Sequence, residues 1–285
     1  MARMHSMTPV LLRTNQTRWE NDQRFFTNSI SKVTMKLFLA TVLLTFLTSS
    51  VGWTQQDTPN SEKDVAASLT EQGEVPTSVK PGINSTFIDP DLNVDDWIAR
   101  FEVESREVFQ ARSEIMKAMA IQPGSRVADI GAGTGFFTLL MSKVVGEKGW
   151  SYAVEISPKF TQHLTALFAE RNLNNTTTVF CNNRSVCLPP HSIDLALICD
   201  VYHHFEFPEQ TMMSIHDALS DGGRIILIDF ERIPGTSREW TLSHVRAGKQ
   251  AFIDEIQGSG FELVRECKIA GFKENYFLEF RKTTL

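Results

Sequence analysis

Residues Val127-Ala-Asp-Ile-Gly-Ala-Gly-Thr-Gly-Phe-Phe137 decide the fold of this chain. The first four, Val127 to Ile130, are predicted to form a short buried strand, the three glycines a tight turn, and Phe136 to Val145 the start of a helix. The free N–H groups at the N-terminus of that helix face the turn. A strand that runs through glycines into a helix therefore leaves bare backbone that a ligand can approach.

The spacing of the glycines argues against a nicotinamide dinucleotide. A dinucleotide-binding turn needs small residues at its first, third and sixth positions. Counted from Gly131, the sixth position is Phe136, and the last glycine, Gly135, stands at the fifth. A reductase is therefore a disfavoured alternative.

Together with Asp129, the run Asp129-Ile-Gly-Ala-Gly-Thr-Gly135 resembles the first motif of class I S-adenosylmethionine-dependent methyltransferases. In that family the loop lies along the methionine part of the cofactor. A tight turn without a ligand is the alternative that the glycines alone leave open. The resemblance implies that S-adenosyl-L-methionine is the cofactor and that it is bound by Asp129, Gly131, Ala132, Gly133, Thr134 and Gly135.

Composition and charge narrow the class of partner. The chain has 285 residues, of which 42% are hydrophobic and 22% charged, as expected for one globular core with an appendage. Its net charge is -6; residues 1–52 carry six basic and two acidic side chains, a balance of +4, which leaves -10 for the rest. The negative charge of the chain after residue 52 would repel the phosphates of a nucleic acid, so no nucleic-acid partner is expected.

The four cysteines, at positions 181, 187, 199 and 267, form no Cys-x-x-Cys pair and have no histidine at zinc-finger spacing. A structural metal site is therefore not expected, and the reaction that the resemblance implies requires no metal. Cys181 and Cys187 are close enough in sequence to form a disulfide if the domain is exported.

The N-terminal region is predicted to direct export. Residues 1–34 are a polar extension, and the apolar run Leu37 to Leu47 has the length of a signal-peptide core, with small residues at Ser50-Val-Gly52 where cleavage would occur. Residues 35–52 are therefore a signal peptide or, if uncleaved, a membrane anchor over residues 37–53. A start at Met35 would give the signal ordinary proportions. The basic flank before the run and the acidic residues after it place the domain outside.

Residues 53–85 are predicted to be a flexible linker because they are polar, and residues 86–285 the methyltransferase domain, with ordered structure beginning near Phe87. Apolar spacing between Asp95 and Ile121 predicts one or two helices before the first strand. Later helices are expected to begin at Pro158, which follows the capping residue Ser157, to run from Pro208 to Asp221-Gly-Gly223, and to cover roughly 243–257.

Strands and helices alternate after the glycine turn, the pattern of a parallel sheet covered on both faces. Only Ala270-Gly-Phe-Lys-Glu274 separates the last two strands, which is too short for a crossover helix, so they should form an antiparallel hairpin. The fold class is α/β, a Rossmann-like doubly wound seven-stranded sheet, mostly parallel with an antiparallel C-terminal hairpin, as in the methyltransferases. The predicted strands are 126–130, 151–155, 177–181, 194–199, 224–229, 262–268 and 275–282.

Polar residues at two further strand ends are cofactor candidates. Glu155 ends the second strand, where a carboxylate can accept hydrogen bonds from the two hydroxyls of a ribose; the alternative is a surface acid at a strand end. After the third strand, Asn182 and Asn183 stand where the family often hydrogen-bonds adenine, or they are turn residues. Asp194 is expected to order the turn before the fourth strand.

The stretch Asp200-Val-Tyr-His-His-Phe205 follows the fourth strand and resembles the fourth-motif region of the family, near the methyl group to be transferred. Adjacent side chains in a strand or helix point apart, so only one of His203 and His204 is expected to face the acceptor. If the acceptor carries a proton, a general base is needed. The candidates for catalytic residues are Asp200, His203, His204 and His244, and Asp200 is also a candidate for binding the cofactor. Asp229, Glu231 and Arg246 are further residues near the acceptor, with a solvated helix start as the alternative for His244 and Arg246.

The resemblance covers about residues 81–285 and implies transfer of a methyl group from S-adenosylmethionine to a small-molecule acceptor that the residues do not identify. Within the family, four phrases resemble a bacterial group that often carries an export signal: Pro81-Gly-Ile-Asn84, Asp89-Pro-Asp-Leu-Asn93, Asp200-Val-Tyr-His-His204 and His244-Val-Arg-Ala247. The alternative is an exported binding protein for a nucleoside-type ligand that keeps the fold without the activity. If the domain is exported, S-adenosylmethionine has to reach it from inside the cell, and a cofactor with a fixed charge does not diffuse through lipid. The sequence does not show the route.

Overall fold

The computed structural model describes residues 76–284. The polar extension, the apolar run and most of the linker lie outside these residues. None of the helices within residues 76–284 combines the length and the apolar character that crossing a bilayer requires.

Seven strands form one sheet, in the order β3-β2-β1-β4-β5-β7-β6. The first five strands pair in parallel, and β7 inserts antiparallel between β5 and β6. This confirms the predicted α/β fold, including its antiparallel ending. The strands are β1 Arg126–Ile130, β2 Trp150–Glu155, β3 Thr176–Phe180, β4 Ile193–Cys199, β5 Leu219–Phe230, β6 Phe261–Cys267 and β7 Asn275–Lys282.

Helices cover both faces of the sheet and a short 3-10 turn, Tyr202–His204, follows β4. Ser157 caps the helix after β2 as predicted, since its side chain accepts a hydrogen bond from the N–H of Phe160. The helices are α1 Val94–Phe101, α2 Glu107–Gln110, α3 Arg112–Met119, α4 Phe136–Val145, α5 Pro158–Glu170, α6 Pro208–Ala218, α7 Glu239–His244 and α8 Lys249–Gly258.

The sheet separates two apolar clusters because successive side chains of a strand point to opposite faces. In β4, for example, Ala196 and Ile198 belong to the cluster that packs against α6 and α8, whereas Leu195 and Leu197 belong to the cluster beneath α3 and α4. Burial on both faces explains why the central strands are continuous apolar runs rather than alternating ones.

The predicted end of α6 and the predicted start of β5 were wrong. β5 begins at Leu219 rather than 224, so α6 ends at Ala218, and the segment Asp221-Gly-Gly223 lies within the strand instead of ending the helix. The register shift between Ile193 and Leu195 absorbs the extra residues of β5 opposite β4.

The helix predicted over 243–257 is two helices, α7 and α8, because the chain becomes extended at Val245. Val245 is buried in the core there, and the next residue, Arg246, forms an ion pair with Glu255. Tertiary packing thus interrupts a pattern that is locally helical. Likewise, the segment from Val94 to Met119 contains three helices rather than one or two.

The segment before α1 lies against the domain. The N–H of Val79 donates to the carbonyl of Glu206 at 2.9 Å, and the Lys80 ammonium donates to the carbonyl of His244 at 2.5 Å. The Asn84 amide donates to the carbonyl of His204 at 3.1 Å. The linker boundary predicted at residue 85 therefore falls inside a segment that already contacts the domain.

Glu279 of β7 joins the sheet to the N-terminal helices. Its buried carboxylate accepts hydrogen bonds from Arg224 at 2.8 Å and from Arg265 at 2.7 Å. The same two guanidinium groups also donate to the carbonyls of Met119 and Ala118 at the end of α3. Burial would raise the pKa of Glu279, but the two arginines outweigh burial and lower it.

Glu279→Gln is therefore expected to lower the free energy of unfolding at pH 7 by about 1–3 kcal/mol, because both arginines lose their charged partner. A carboxylate with a lowered folded-state pKa stabilises the fold above its unfolded pKa and loses that contribution as the pH falls, so the difference from wild type should shrink in acid. Urea unfolding between pH 3 and pH 7 measures it. Glu262→Gln, an exposed glutamate on β6, is the control, and equal effects of the two variants would contradict the assignment.

Candidate functional site

The glycine turn after β1 has the backbone that its sequence suggests. Gly131, Gly133 and Gly135 all have positive φ, at 71°, 52° and 85°. A Cβ on Gly131 would lie 2.6 Å from the side chain of Val201, and one on Gly135 would lie 2.6 Å from Leu164. Side chains are thus excluded at Gly131 and Gly135 by conformation and by space.

Glu155, at the end of β2, is tied to this turn. One carboxylate oxygen accepts the N–H of Gly133 at 2.8 Å, and the other accepts the N–H groups of Ile156 and Ser157 at 2.9 and 2.8 Å. The residue is only 4% exposed. Burial raises the pKa of Glu155, and the three backbone N–H groups oppose that rise. The alternative that Glu155 is a surface acid at a strand end is therefore wrong.

Asp129 lies in β1 just before the turn and is also buried. Its carboxylate accepts a hydrogen bond of 2.6 Å from the hydroxyl of Thr138 in α4. Burial raises the pKa of Asp129 to about 6, although the hydrogen bonds from Thr138 lower it. A second buried carboxylate nearby, Glu155, adds to the rise.

Two small cavities adjoin the turn. One, of about 90 Å³, borders Asp129, Gly131, Ala132, Gly133 and Thr134. The other, of about 60 Å³, borders Asn182 and Asn183. Both also border Gly131 and Val201, so the Val201 side chain stands against Gly131 between the two predicted halves of the cofactor site.

One of the two asparagines is a turn residue, and both border a cavity. Asn182 is a turn residue, since its side-chain oxygen accepts the N–H of Arg184 at 2.8 Å. Both Asn182 and Asn183 nevertheless border the smaller cavity. Cys181 and Cys187, on either side of the asparagines, are free thiols.

A larger cavity, of about 740 Å³, opens beside the turn at the carboxyl ends of β4 and β5. Its volume is in the range of small-molecule sites. Aromatic side chains from four segments form much of its wall: Phe87, Trp97, Phe101, Phe230 and Trp240. The polar part of the wall includes Arg106, Asp200, His203, His204 and His244.

Both adjacent histidines border this cavity, so the expectation that only one would face it was wrong. They lie in the 3-10 turn after β4, and their ring centroids are only 4.4 Å apart. His244, at the end of α7, completes the group, with its Nε2 at 3.3 Å from the Nε2 of His204. The expected alternation of side chains fails because a turn of three residues does not repeat the geometry of a strand or a longer helix.

The three histidines have different surroundings. His203 is buried, and its Nδ1 lies 2.8 Å from a carboxylate oxygen of Asp229. Burial lowers the pKa of His204 to about 2 and that of His244 to about 4, and the neighbouring histidines add to both shifts. His204 and His244 are therefore neutral at neutral pH.

Asp200 holds the N-terminal helices to the end of β4. Its carboxylate forms an ion pair with Arg106 at 2.5 Å and accepts the Asn275 amide at 2.8 Å. Burial raises the pKa of Asp200, and the charge of Arg106 opposes the rise. Glu107, the residue after Arg106, accepts hydrogen bonds from three backbone N–H groups at the turn between β6 and β7.

The remaining candidates have structural partners. Arg246 pairs with Glu255 at 2.7 and 2.5 Å, and its guanidinium packs over the rings of Tyr202 and Phe252. It does not border the large cavity. Glu231 pairs with Lys249 at 2.6 Å, and Asp229 supports His203 rather than facing the cavity.

Sequence reasoning missed Arg106, Phe101, Trp240 and Asn275. Phe101 ends α1 and Arg106 follows that helix, whereas Trp240 lies in α7 and Asn275 begins β7. No local motif marks these residues, and each reaches the cavity only because its segment packs over the carboxyl edge of the sheet. Asp194, expected to order a turn, lies in β4 and accepts hydrogen bonds from Arg126 at the start of β1.

Asp129→Asn should change how stability depends on pH. A carboxyl group whose pKa rises on folding stabilises the fold below its unfolded pKa and loses that contribution as the pH rises through the folded pKa. The free energy of unfolding of the wild type should therefore fall by up to about 3 kcal/mol between pH 4 and pH 7, and that of the variant should not. Urea unfolding across this range measures the difference, with Asp217→Asn, an exposed residue of α6, as control. Parallel curves for wild type and Asp129→Asn would contradict it.

Part of the chain matches a known protein family. Residues 128–227 match the family described as "Methyltransferase domain". This range runs from β1 into β5 and includes the glycine turn, Glu155 and the two adjacent histidines. It excludes Arg106 and His244.

Two relatives show the extent of the similarity. Demethylmenaquinone methyltransferase of Listeria monocytogenes serotype 4a is 25% identical over 126 residues, which cover 44% of this chain and 53% of that protein. Ubiquinone/menaquinone biosynthesis C-methyltransferase UbiE of Vibrio vulnificus is 26% identical over 112 residues, which cover 39% of this chain and 43% of that protein. The chain thus spans about half the length of the curated relatives it matches.

Solved structures share the fold at low identity. A SAM-dependent methyltransferase from Aquifex aeolicus has a TM-score of 0.59 at 18% identity and covers 68% of this chain and 100% of its own. The [4+2]-cyclase SpnF has a TM-score of 0.56 at 16% identity and covers 73% of this chain and 97% of its own. Because one of these proteins is named as a cyclase, the fold alone does not assign the reaction. Residues 76–284 have the Rossmann-like fold of class I methyltransferases, and the segment that carries the glycine turn and Glu155 matches the methyltransferase domain family.

Proposed function

We propose that the protein transfers the methyl group of S-adenosyl-L-methionine to a small-molecule acceptor. One observation carries this proposal: the left-handed glycine turn and the Glu155 carboxylate are hydrogen-bonded to each other at the carboxyl edge of β1 and β2. This edge is where open parallel sheets bind their ligands. The large cavity adjoins it and supplies room for an acceptor.

The residues at the turn fit the cofactor in chemical type. A carboxylate offers about four acceptor positions, and the backbone uses three of those on Glu155. One ribose hydroxyl can take the remaining position. Asn182 and Asn183 supply amide groups on the other side of Gly131 for the base.

Binding requires side chains at the turn to move. The two cavities there are about 90 and 60 Å³, well below the roughly 300 Å³ of a small ligand site. Two side chains occupy the space that the cofactor would need. Val201 packs against Gly131, and Phe101 lies 3.6 Å from where a Cβ on Gly133 would be. We infer that α1 and the turn after β4 shift outwards when the cofactor enters.

The acceptor is proposed to be a molecule with a planar, largely apolar ring. The aromatic wall of the large cavity supports this, because aromatic side chains bind flat apolar surfaces well. The names of the two relatives from Listeria and Vibrio refer to quinones, which agrees with a ring of this kind.

The cofactor would supply a methyl group on a sulfonium, which is already a good leaving group. The chain therefore has to hold the acceptor atom in line with that methyl and exclude water. If the acceptor loses a proton, the histidine group is the place for that loss. His203 is the best-oriented member, since Asp229 fixes its Nδ1 and leaves Nε2 free.

Gly133→Val and Glu155→Ala should each weaken binding of S-adenosylmethionine at least tenfold, which corresponds to about 1.4 kcal/mol. The first places a branched side chain at a positive φ, and the second removes the carboxylate from the turn. Calorimetry with S-adenosylmethionine, S-adenosylhomocysteine and NADH measures binding, and NADH should not bind. Gly258→Ala and Glu170→Ala, at the ends of α8 and α5, are matched controls. Unchanged affinity in both site variants would contradict the cofactor assignment.

A binding protein without transferase activity is the second candidate, and the closed state of the turn favours considering it. Release of S-adenosylhomocysteine in the presence of a panel of phenols, quinols, thiols and amines distinguishes the two. Tight binding of the cofactor with no release for any member of the panel would favour the binding protein.

We also propose that the domain is exported, with membrane contact only through residues 37–53 if the signal is retained. The support is the apolar run with basic residues before it and acidic residues after it. N-terminal sequencing of the protein from periplasmic, secreted and membrane fractions should give a start after Gly52 or recover the uncleaved chain in the membrane. Recovery of an uncleaved chain in the cytosol alone would contradict export.

A further inference from the structure

The histidine group at the wall of the large cavity has the arrangement of a metal site. One ring nitrogen from each of His203, His204 and His244 lies within 4.8 Å of the others. The three ring centroids are 4.4, 5.0 and 5.2 Å apart, so the rings form one compact group. Two of the residues come from the turn after β4 and the third from the end of α7.

Hydrogen bonding within the described part of the chain does not account for all the ring nitrogens. The Nδ1 of His204 is buried without a partner. Its Nε2 faces the Nε2 of His244 at 3.3 Å. Two neutral imidazoles can share only one proton at such a contact, whereas a metal ion would bind both Nε2 atoms and leave the proton of His204 on its Nδ1.

The distance between these two nitrogens also suits a bound ion. Nitrogens at about 2.0–2.1 Å from a tetrahedral zinc ion lie about 3.3 Å from each other. The observed separation of 3.3 Å between His204 and His244 agrees with that spacing. His203 is placed to supply the third nitrogen, because the ligand atoms of all three histidines lie within 4.8 Å of one another.

Asp229 supplies the outer support that metal-binding histidines have. Its buried carboxylate lies 2.8 Å from the Nδ1 of His203 and accepts the N–H of Phe230 at 2.8 Å. A carboxylate behind a ring fixes the tautomer in which Nδ1 carries the proton and Nε2 is free to bind a metal. Trp240 stacks on His244 at 4.7 Å and fixes the plane of that ring.

We propose that His203, His204 and His244 bind one divalent transition-metal ion, of which Zn²⁺ is the representative. Three imidazoles with an open position are the ligand set of catalytic zinc sites, and imidazole also suits Fe, Ni and Cu ions. The open position faces the large cavity. An acceptor that offers an oxygen or sulfur ligand would bind there. With the ion present, the Nε2 of His203 would be a ligand and could not act as the base proposed for methyl transfer, so the acceptor's proton would pass to solvent.

The charges around the group are compatible with a cation. Asp229 contributes a negative charge directly behind His203. Asp200 and Arg106 neutralise each other in an ion pair. The ammonium of Lys80 donates to the carbonyl oxygens of Ser243 and His244. Besides burial, its charge lowers the pKa of His204 and His244 and so opposes a cation, and the carboxylate of Asp229 offsets it at His244.

Metal binding is tested on the full chain purified without a polyhistidine tag and stripped with a chelator. Calorimetry with ZnCl₂ should show one ion per chain, and Co²⁺ should give the strong visible absorption of a four- or five-coordinate site. His204→Ala and His244→Ala should each weaken Zn²⁺ binding at least tenfold and abolish the Co²⁺ absorption. Their thermal unfolding is followed to ensure that the variants fold.

His191→Ala, an exposed histidine at the other end of the sheet, and the double variant Cys181→Ser with Cys187→Ser should bind Zn²⁺ as wild type does. The proposal is overturned if the chain binds no ion, if folded His204→Ala and His244→Ala bind it as tightly as wild type, or if the cysteine variant abolishes binding. Because the measurement uses neither cofactor nor acceptor, its outcome is independent of the proposed methyl transfer.

Discussion

The hydrogen bond from the N–H of Gly133 to the carboxylate of Glu155 is the interaction on which the site depends. It fixes the conformation of the turn after β1 by joining it to the end of the neighbouring strand. A buried carboxylate is stable only if its acceptor positions are satisfied, and three backbone N–H groups satisfy most of those on Glu155. The turn is therefore shaped by the need to satisfy a buried charge as well as by its glycines.

The same requirement recurs along the carboxyl edge of the sheet. Asp129, Glu155, Asp200 and Asp229 lie at or beside the ends of β1, β2, β4 and β5, and each has a different partner. Thr138 donates to Asp129, Arg106 pairs with Asp200, and His203 binds Asp229. Buried carboxylates are costly for stability, and their concentration at one edge is typical of a functional site. Two of these partners, Arg106 and His203, also form the wall of the large cavity.

Most of the sheet could be predicted because its signals are local. Apolar runs such as Leu195 to Cys199 mark strands, and the proximity of the last two strands requires an antiparallel pair. The predictions failed where packing overrides a local pattern. The apolar spacing over 243–257 is helical, yet Val245 turns into the core and divides the helix. Likewise, β5 extends back to Leu219 through two glycines that would ordinarily end a helix.

The sequence alone determined the positions of the first four strands, the glycine turn, and the placement of Glu155, Asn182 and Asp200 at strand ends, because each depends on residues close together in the chain. Tertiary structure alone decided what surrounds them. His244 reaches His204 across 40 positions, and Arg106 reaches Asp200 across 94. The spacing of cysteines and histidines along the chain indicated no metal site, whereas the fold brings three histidines together. Such contacts depend on how α1 and α7 pack over the sheet edge, which no local periodicity encodes.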